Sequence, residues 1–253
     1  MGNSSSCCPP PSLAIAGGWT AETLCFHVPT PHPSAEIGSV TTDLAPNTVT
    51  PLHLTLWYPT DASAVVEQQL ALGHEDDPFW CYLWPTAQTL AQQVLMADCS
   101  SPQTVLETGC GIGLVGLAAL AAGAEKVTFE DLRSPSVDLA LHNAQCNGFG
   151  DRAQGRVRDW CQVSPSASPP GQFDWILASD VLYHQASHEP LLAYLVEAIA
   201  PNGSIWIGDP GRKEAVEFFK QAQRYFKVEL FKADNTAMTT PLRGQYQRFV
   251  LRP

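Results

Sequence analysis

The sequence predicts an α/β domain: a mostly parallel sheet of seven strands with helices on both faces, an antiparallel C-terminal strand and a β-rich N-terminal extension. Three observations carry this. From Thr104 onward, short apolar runs alternate with helix-length segments. Such alternation gives a parallel sheet, because each crossover must return the chain to the end it started from. Within that pattern, the first apolar run meets glycines at 109, 111 and 113 and then opens directly into the apolar stretch Leu114–Ala122. Finally, the runs Lys227–Lys232 and Arg248–Leu251 are joined by a long polar connection without a helix, so they pair as a hairpin and leave one strand antiparallel.

Residues 1–15 read as a disordered polar tail that runs into Pro9-Pro10-Pro11, and residues 16–77 as the β-rich extension. Residues 1–78 show no helical periodicity; Leu24–Val28 and Leu52–Tyr58 read as strands, separated by Pro- and Thr-rich turns and able to pack as a hairpin on the main domain. Trp57 and Tyr58 are expected to pack there. The main domain covers 78–253. Trp84-Pro85 introduces a helix over Thr86–Met96, since proline suits the first helical position. There follow strand Thr104–Thr108, helix Leu114–Ala122, strand Lys126–Asp131, helix Pro135–Cys146 and strand Gly155–Asp159. After a Ser/Pro-rich loop come strand Asp174–Ser179, helix Glu189–Ala200, strand Ser204–Asp209, helix Lys213–Tyr225 and the final pair. A sheet of this kind binds ligands at the carboxyl ends of its strands, near the switch in strand order.

Composition bounds the function. At 253 residues and 45% apolar content, one domain with an appended segment fits. No window approaches the ~18 uninterrupted apolar residues of a membrane-spanning helix. The formal charge of −11 lies wholly in the first half: residues 1–125 hold eleven acids and no Lys or Arg, and residues 126–253 hold fourteen of each sign. That surface repels phosphate backbones and argues against nucleic acid. It suits a basic protein or a cationic small molecule, with Glu75-Asp76-Asp77 the densest point, or it serves solubility alone. The eight cysteines show neither CxxC nor zinc spacing and read as scattered reduced thiols of a cytoplasmic, monomeric protein. Met1-Gly2-Asn3-Ser4-Ser5-Ser6-Cys7-Cys8 fits an acylation pattern, which in a eukaryote would anchor the chain through Gly2, Cys7 and Cys8; a plain polar tail is the competing reading.

The glycine-rich turn presents backbone and free helical N–H groups to a ligand. Two ligands compete for it. Gly111-x-Gly113-x-x-Gly116 fits the dinucleotide fingerprint, whereas Glu107-x-Gly109-x-Gly111-x-Gly113 fits a loop that holds S-adenosylmethionine. Glu107 bears on the choice. A carboxylate beside the ligand suits the cationic amino and sulfonium groups of the methyl donor and would repel a pyrophosphate; alternatively, Glu107 caps the following helix. Asp131, after Glu130 at the end of the second parallel strand, is placed to accept hydrogen bonds from ribose hydroxyls in either cofactor. Trp160, beside Asp159 after the third, can lie against an adenine face or close the sheet edge. At the end of the fourth, Ser179-Asp180-Val-Leu-Tyr183 brings a carboxylate and an aromatic ring together. A carboxylate orients an ammonium and helps remove its proton, and a ring wall favours a cation.

Together, Glu107-Thr-Gly-Cys-Gly-Ile-Gly-Leu114, Asp131, Trp160 and Asp180-Val-Leu-Tyr183 resemble the seven-β-strand, Rossmann-like S-adenosylmethionine-dependent methyltransferases of the family-16 group, mostly lysine-directed. Pro78-Phe-Trp-Cys-Tyr-Leu-Trp-Pro85 and Ile207-Gly-Asp-Pro-Gly-Arg212 are most similar to the branch that methylates the electron-transfer-flavoprotein β-subunit. The resemblance covers residues 75–251. It implies that Trp84, Glu107, Gly109, Cys110, Gly111, Gly113, Asp131, Trp160 and Ser179 hold S-adenosylmethionine, with Asp180 and Tyr183 catalytic at the acceptor side and no metal. The implied reaction is methylation of lysine side chains in a protein substrate. A small-molecule amine or a protein histidine is the alternative acceptor, and a dinucleotide-binding oxidoreductase the alternative class. Residues 1–74 have no counterpart in the resemblance. Asp209 and Arg212 border the site without an assigned role, and His184 could serve as a base.

Overall fold

The computed structural model describes residues 8–10, 15, 17–29, 49–73, 79–97, 103–162 and 171–253. Gly2, Cys7, the acids Glu75-Asp76-Asp77 and most of the Ser/Pro-rich loop lie outside the described residues. Two long strands come first, β1 (Trp19–Pro29) and β2 (Val49–Pro59), then α1 (Ala62–Ala71) and α2 (Pro85–Leu95). The main run is β3 (Thr104–Thr108), α3 (Leu114–Ala121), β4 (Lys126–Asp131), α4 (Ser134–Cys146), β5 (Ala153–Val157), β6 (Phe173–Ser179), α5 (His188–Ala198) and β7 (Ile199–Asp209). It closes with α6 (Glu214–Ala222), β8 (Lys227–Phe231), the two-residue β9 (Ala237–Met238) and β10 (Gln247–Arg252).

The large sheet runs β5-β4-β3-β6-β7-β10-β8-β9, with β10 inserted antiparallel between β7 and β8. Among the described residues it has eight strands rather than seven, the extra one being β9. Strand order turns back between β3 and β6, which pair in parallel, so a crevice opens at their carboxyl ends. The pleat sorts side chains to two cores. Val105, Trp175 and Leu177 face α2 and α3, while Leu106, Ile176 and Ala178 face α5 and α6. Helix α3 is buried on every side, as its Leu/Ala/Val sequence requires.

β1 and β2 form the expected antiparallel hairpin, longer than the alternation suggested. Phe26, Val28, Leu54 and Leu56 share one core with α2 and α3. Side-chain amides finish the join. Asn143 accepts from the Trp57 N–H (2.7 Å) and donates to the Trp57 carbonyl (3.1 Å), and Asn147, one turn on, does the same with Thr55 (2.9 and 2.7 Å). Gln92 binds the His27 N–H and carbonyl on the other strand. Trp57 packs edge-on against His142.

Three expectations need correction. Residues 62–71 are helical, although no apolar stripe announces it: Asp61 caps the helix by accepting from the Ala64 N–H (3.0 Å), and only Val65 is buried. Strand β5 begins at Ala153 and ends at Val157, two residues earlier than expected. Gly155 is not its start but its middle, where α4 packs so close that a Cβ would lie 2.4 Å from Val137. Cys146 is disulfide-bonded, against the expectation of reduced thiols throughout, while Cys8, Cys25, Cys81, Cys110 and Cys161 form no disulfide. Among the described residues no helix is long and apolar enough to cross a membrane.

Candidate active site

The crevice between β3 and β6 is a cleft of about 900 Å³ including its open mouth. Its floor is the turn after β3. There the Cys110 N–H donates to the Glu130 carbonyl (3.0 Å), the Gly113 N–H to the Cys110 carbonyl (2.8 Å) and the Gly111 N–H to Asp131 Oδ2 (3.0 Å). Gly109, Gly111 and Gly113 all have positive φ. At Gly109 the need is double. With φ of 65°, a side chain would be strained, and its Cβ would lie 2.7 Å from Val181, the neighbour of Asp180. Ser136 donates to the Gly111 carbonyl (2.8 Å), pinning the turn to α4. Cys110 lines the cleft, and burial pushes its thiol pKa up.

Three acids gather at these strand ends, and the structure separates them. Glu107 faces α3. Its carboxylate accepts from the Val115 and Gly116 N–H groups at 3.2 and 2.9 Å, so it makes the capping contact that competed with the ligand reading, while still lining the cleft. Burial raises its pKa to about 8 against the pull of those two N–H groups. Asp131 also lines the cleft, held by the Gly111 N–H and by the Arg133 N–H (3.1 Å). Glu130 points to the opposite face and is fully buried. It pairs with Arg156 (2.6 Å) and Arg158 (3.1 Å) and accepts from Tyr194 (3.0 Å) and Thr108 (2.9 Å).

On the far wall, Trp160 sits in a 3-10 turn after β5, its indole N–H donating to Thr108 Oγ1 (3.0 Å). Ser179, Asp180 and Tyr183 line the cleft as expected. Asp180 is 6% exposed and holds φ of 62°, uncommon for a residue with a side chain. Its Oδ1 accepts from Arg212 (2.8 Å), and its Oδ2 is buried with no hydrogen-bond partner. Burial raises the Asp180 pKa; Arg212, then the nearby Thr86 hydroxyl, pull it back. Trp84 lines the mouth in tilted contact with Tyr82.

The cleft thus brings together ten of the eleven residues expected at a site; Gly113 lies below it as the cap of α3. Sequence reasoning did not place Phe79, Trp80 and Tyr82, although they stand in the same aromatic run as Trp84, nor find the grip of Arg212 on Asp180. His184 is exposed, its ring against that of Tyr183. Among the described residues no cluster of His, Cys, Asp or Glu is arranged to hold a metal ion.

Residues 74–225 match the lysine methyltransferase family. The chain is 30% identical over 140 residues to the electron transfer flavoprotein beta subunit lysine methyltransferase of Danio rerio, covering 54% of this chain and 52% of that protein. It is 28% identical over 149 residues to EEF1A lysine methyltransferase 3 of Mus musculus, covering 56% and 62%. The chain therefore spans about half to two thirds of the length of these relatives. Among solved structures, mitomycin 7-O-methyltransferase MmcR superposes with a TM-score of 0.54 at 16% identity, over 76% of this chain and 60% of that one, a likeness of fold.

Proposed function

This chain belongs to the lysine methyltransferase family, and we propose that it transfers the methyl group of S-adenosylmethionine to the ε-amine of a lysine in a protein substrate. The observation that carries the proposal is the unpartnered Oδ2 of Asp180, a buried acceptor in the wall of a cleft that aromatic rings and a glycine turn help to line. A buried polar atom left without a partner costs about 1–3 kcal/mol, and a ligand that donates to it recovers that.

The cleft fits the cofactor. The glycine turn exposes backbone where a Cβ would intrude, Asp131 sets a carboxylate in the cleft wall within reach of ribose hydroxyls, and Trp160 offers an indole face fixed by Thr108. When bound, S-adenosylmethionine supplies an electrophilic methyl carried on a sulfonium. Asp180 does the rest of the chemistry at Oδ2. It holds the incoming lysine ammonium in line, accepts its proton directly or through water, and leaves a neutral amine to attack. Tyr183 walls the acceptor side, and Tyr82 and Trp84 line the same cleft, together displacing water and favouring a cation. The eleven acids and absent bases of residues 1–125, of which Glu22, Asp61 and Glu67 lie on the hairpin and α1, favour a basic segment of the partner.

The test combines calorimetry with labelling. S-adenosylmethionine should bind wild type and Asp180→Asn with affinities within a few-fold. In an extract supplied with labelled donor, wild type should label a protein band at lysine, and the variant should not. Full labelling by Asp180→Asn would remove the assigned role; label confined to small molecules would remove the protein substrate.

A further inference from the structure

Resting on that reading, we propose that Arg212 is a positioning residue. Anchored on Asp209, it turns the Asp180 carboxylate so that Oδ2 alone faces the methyl acceptor, and keeps that carboxylate charged.

The anchor is built into the end of β7. Asp209 is completely buried, and its Oδ1 accepts from the Gly211 and Arg212 N–H groups at 2.7 and 2.8 Å, closing the turn Pro210-Gly211-Arg212. Its Oδ2 accepts from Arg212 Nη1 (3.1 Å). One carboxylate therefore sets both the backbone and the side chain of Arg212. The second arm of the fork, Nη2, reaches Asp180 Oδ1 at 2.8 Å. A guanidinium is planar and presents its donors in fixed directions, so two carboxylates on one fork fix each other. Asp180 has no freedom to compensate: its backbone is in the left-handed region and its N–H is tied to the Gly208 carbonyl (3.0 Å). What remains is Oδ2, buried in the cleft wall without a hydrogen-bond partner.

The charges around Asp180 are few. Asp209 from β7 opposes its ionisation, the Thr86 hydroxyl on α2 supports it, Tyr183 on its own segment lines the same cleft, and Tyr246 before β10 has its own pKa raised by burial and, less, by the Asp180 charge. Arg212 is the single cation among them. It offsets the burial that would otherwise protonate the group that must receive the lysine proton.

The test uses the full chain with Arg212→Met, Arg212→Lys and Asp209→Asn. In Arg212→Met, kcat should fall at least about tenfold, with the acid limb of kcat/KM rising by about one pH unit or more, the usual reach of a contacting opposite charge. Its cofactor affinity by calorimetry should stay within about threefold, well under the 1.4 kcal/mol of a tenfold change. Arg212→Lys keeps the charge but not the fork, so its acid limb should stay near wild type while kcat remains low. Asp209→Asn loosens the anchor but also removes a charge that opposes Asp180 ionisation, so kcat should fall without the rise in the acid limb. Carboxyl ¹³C NMR, with Asp180 assigned through Asp180→Asn, reads the same titration without substrate. An unmoved Asp180 titration in Arg212→Met overturns the inference, as does a kcat loss matched by equal losses of cofactor affinity and thermal midpoint. If wild type methylates no protein, the functional reading fails by itself, and the NMR titration still decides the role of Arg212.

Discussion

Glu107 links the site's electrostatics to binding in a way that calorimetry can read. Its carboxyl is buried and its pKa stands at about 8. At pH 7 such a group is about 90% protonated, and the approach of an opposite charge lowers a carboxyl pKa by about 1–3 units. S-adenosylmethionine carries its cationic amino and sulfonium groups into the cleft that Glu107 lines. A shift of two units would leave the group roughly 10% protonated, so binding at pH 7 should release about 0.8 proton. Titrations in phosphate and Tris differ in buffer ionisation enthalpy, and the slope of apparent enthalpy against that quantity counts the protons. The slope should be about 0.8 at pH 7, fall to about 0.1 at pH 9 and vanish in Glu107→Gln. The sign for stability follows from the same raised pKa. The native state holds the proton more tightly than the unfolded chain, so Glu107's contribution is complete at low pH and is lost as pH rises through 8. The ligand-free thermal midpoint should therefore fall across that range, less so in Glu107→Gln. A zero slope for wild type at pH 7, or the same slope in the variant, would refute the reasoning: it would mean the two N–H groups already hold Glu107 ionised.

Gly109→Ala places a Cβ at φ of 65° and 2.7 Å from Val181; left-handed backbone costs about 1–2 kcal/mol, so cofactor affinity should fall about tenfold or more. Adding Val181→Ala should recover part of it; no loss in the single variant contradicts the tight approach. Asn143→Leu deletes hydrogen bonds to the Trp57 N–H, the Trp57 carbonyl and the Ile112 carbonyl. With each stranded group worth about 1–3 kcal/mol and the hairpin edge able to admit water, the expected loss in urea unfolding is about 3 kcal/mol. A loss below about 1 kcal/mol would show that the amide contacts are replaceable. Glu130→Gln leaves Arg156 and Arg158 facing each other without their anion and should cost about 3–5 kcal/mol. An unchanged urea midpoint would count against that network.

Strand ends were legible because periodicity and a glycine turn are local signals. Thr104–Thr108, Lys126–Asp131 and the neighbourhood of Ser179 fall where alternation put them, and with them the glycine turn, Asp131 and Asp180 of the cleft lining. What was not legible depends on contacts between distant segments. Helix α1 buries only Val65 and is specified by the cap at Asp61 rather than by a stripe. Gly155 reads as a strand boundary until α4 is seen against it. Glu107 has the right chemistry for a ligand contact and for a helix cap, and only the position of α3 shows that its oxygens reach the Val115 and Gly116 N–H groups. Arg212 stands 32 residues from Asp180, and nothing in either motif couples them. The fork becomes visible only when β6 and β7 lie side by side.

The pleat explains why one short stretch can carry both the cleft and its support. Glu130 and Asp131 are adjacent on β4, so one must face α5 while the other faces the cleft. The same holds on β3, where Glu107 turns to α3 and Thr108 to the opposite side. Those inward groups are joined: the Trp160 indole donates to Thr108, Thr108 donates to Glu130, and Glu130 binds Arg156, Arg158 and Tyr194. A polar network this deep stabilises only when its members are satisfied. Here each link also fixes something in the cleft, since Trp160 is held through Thr108, and the Glu130 carbonyl receives the Cys110 N–H of the glycine turn. The acids at the strand ends are therefore not interchangeable. One holds the walls from behind, one caps the helix beneath the turn, and Asp131 and Asp180 stand in the cleft wall itself.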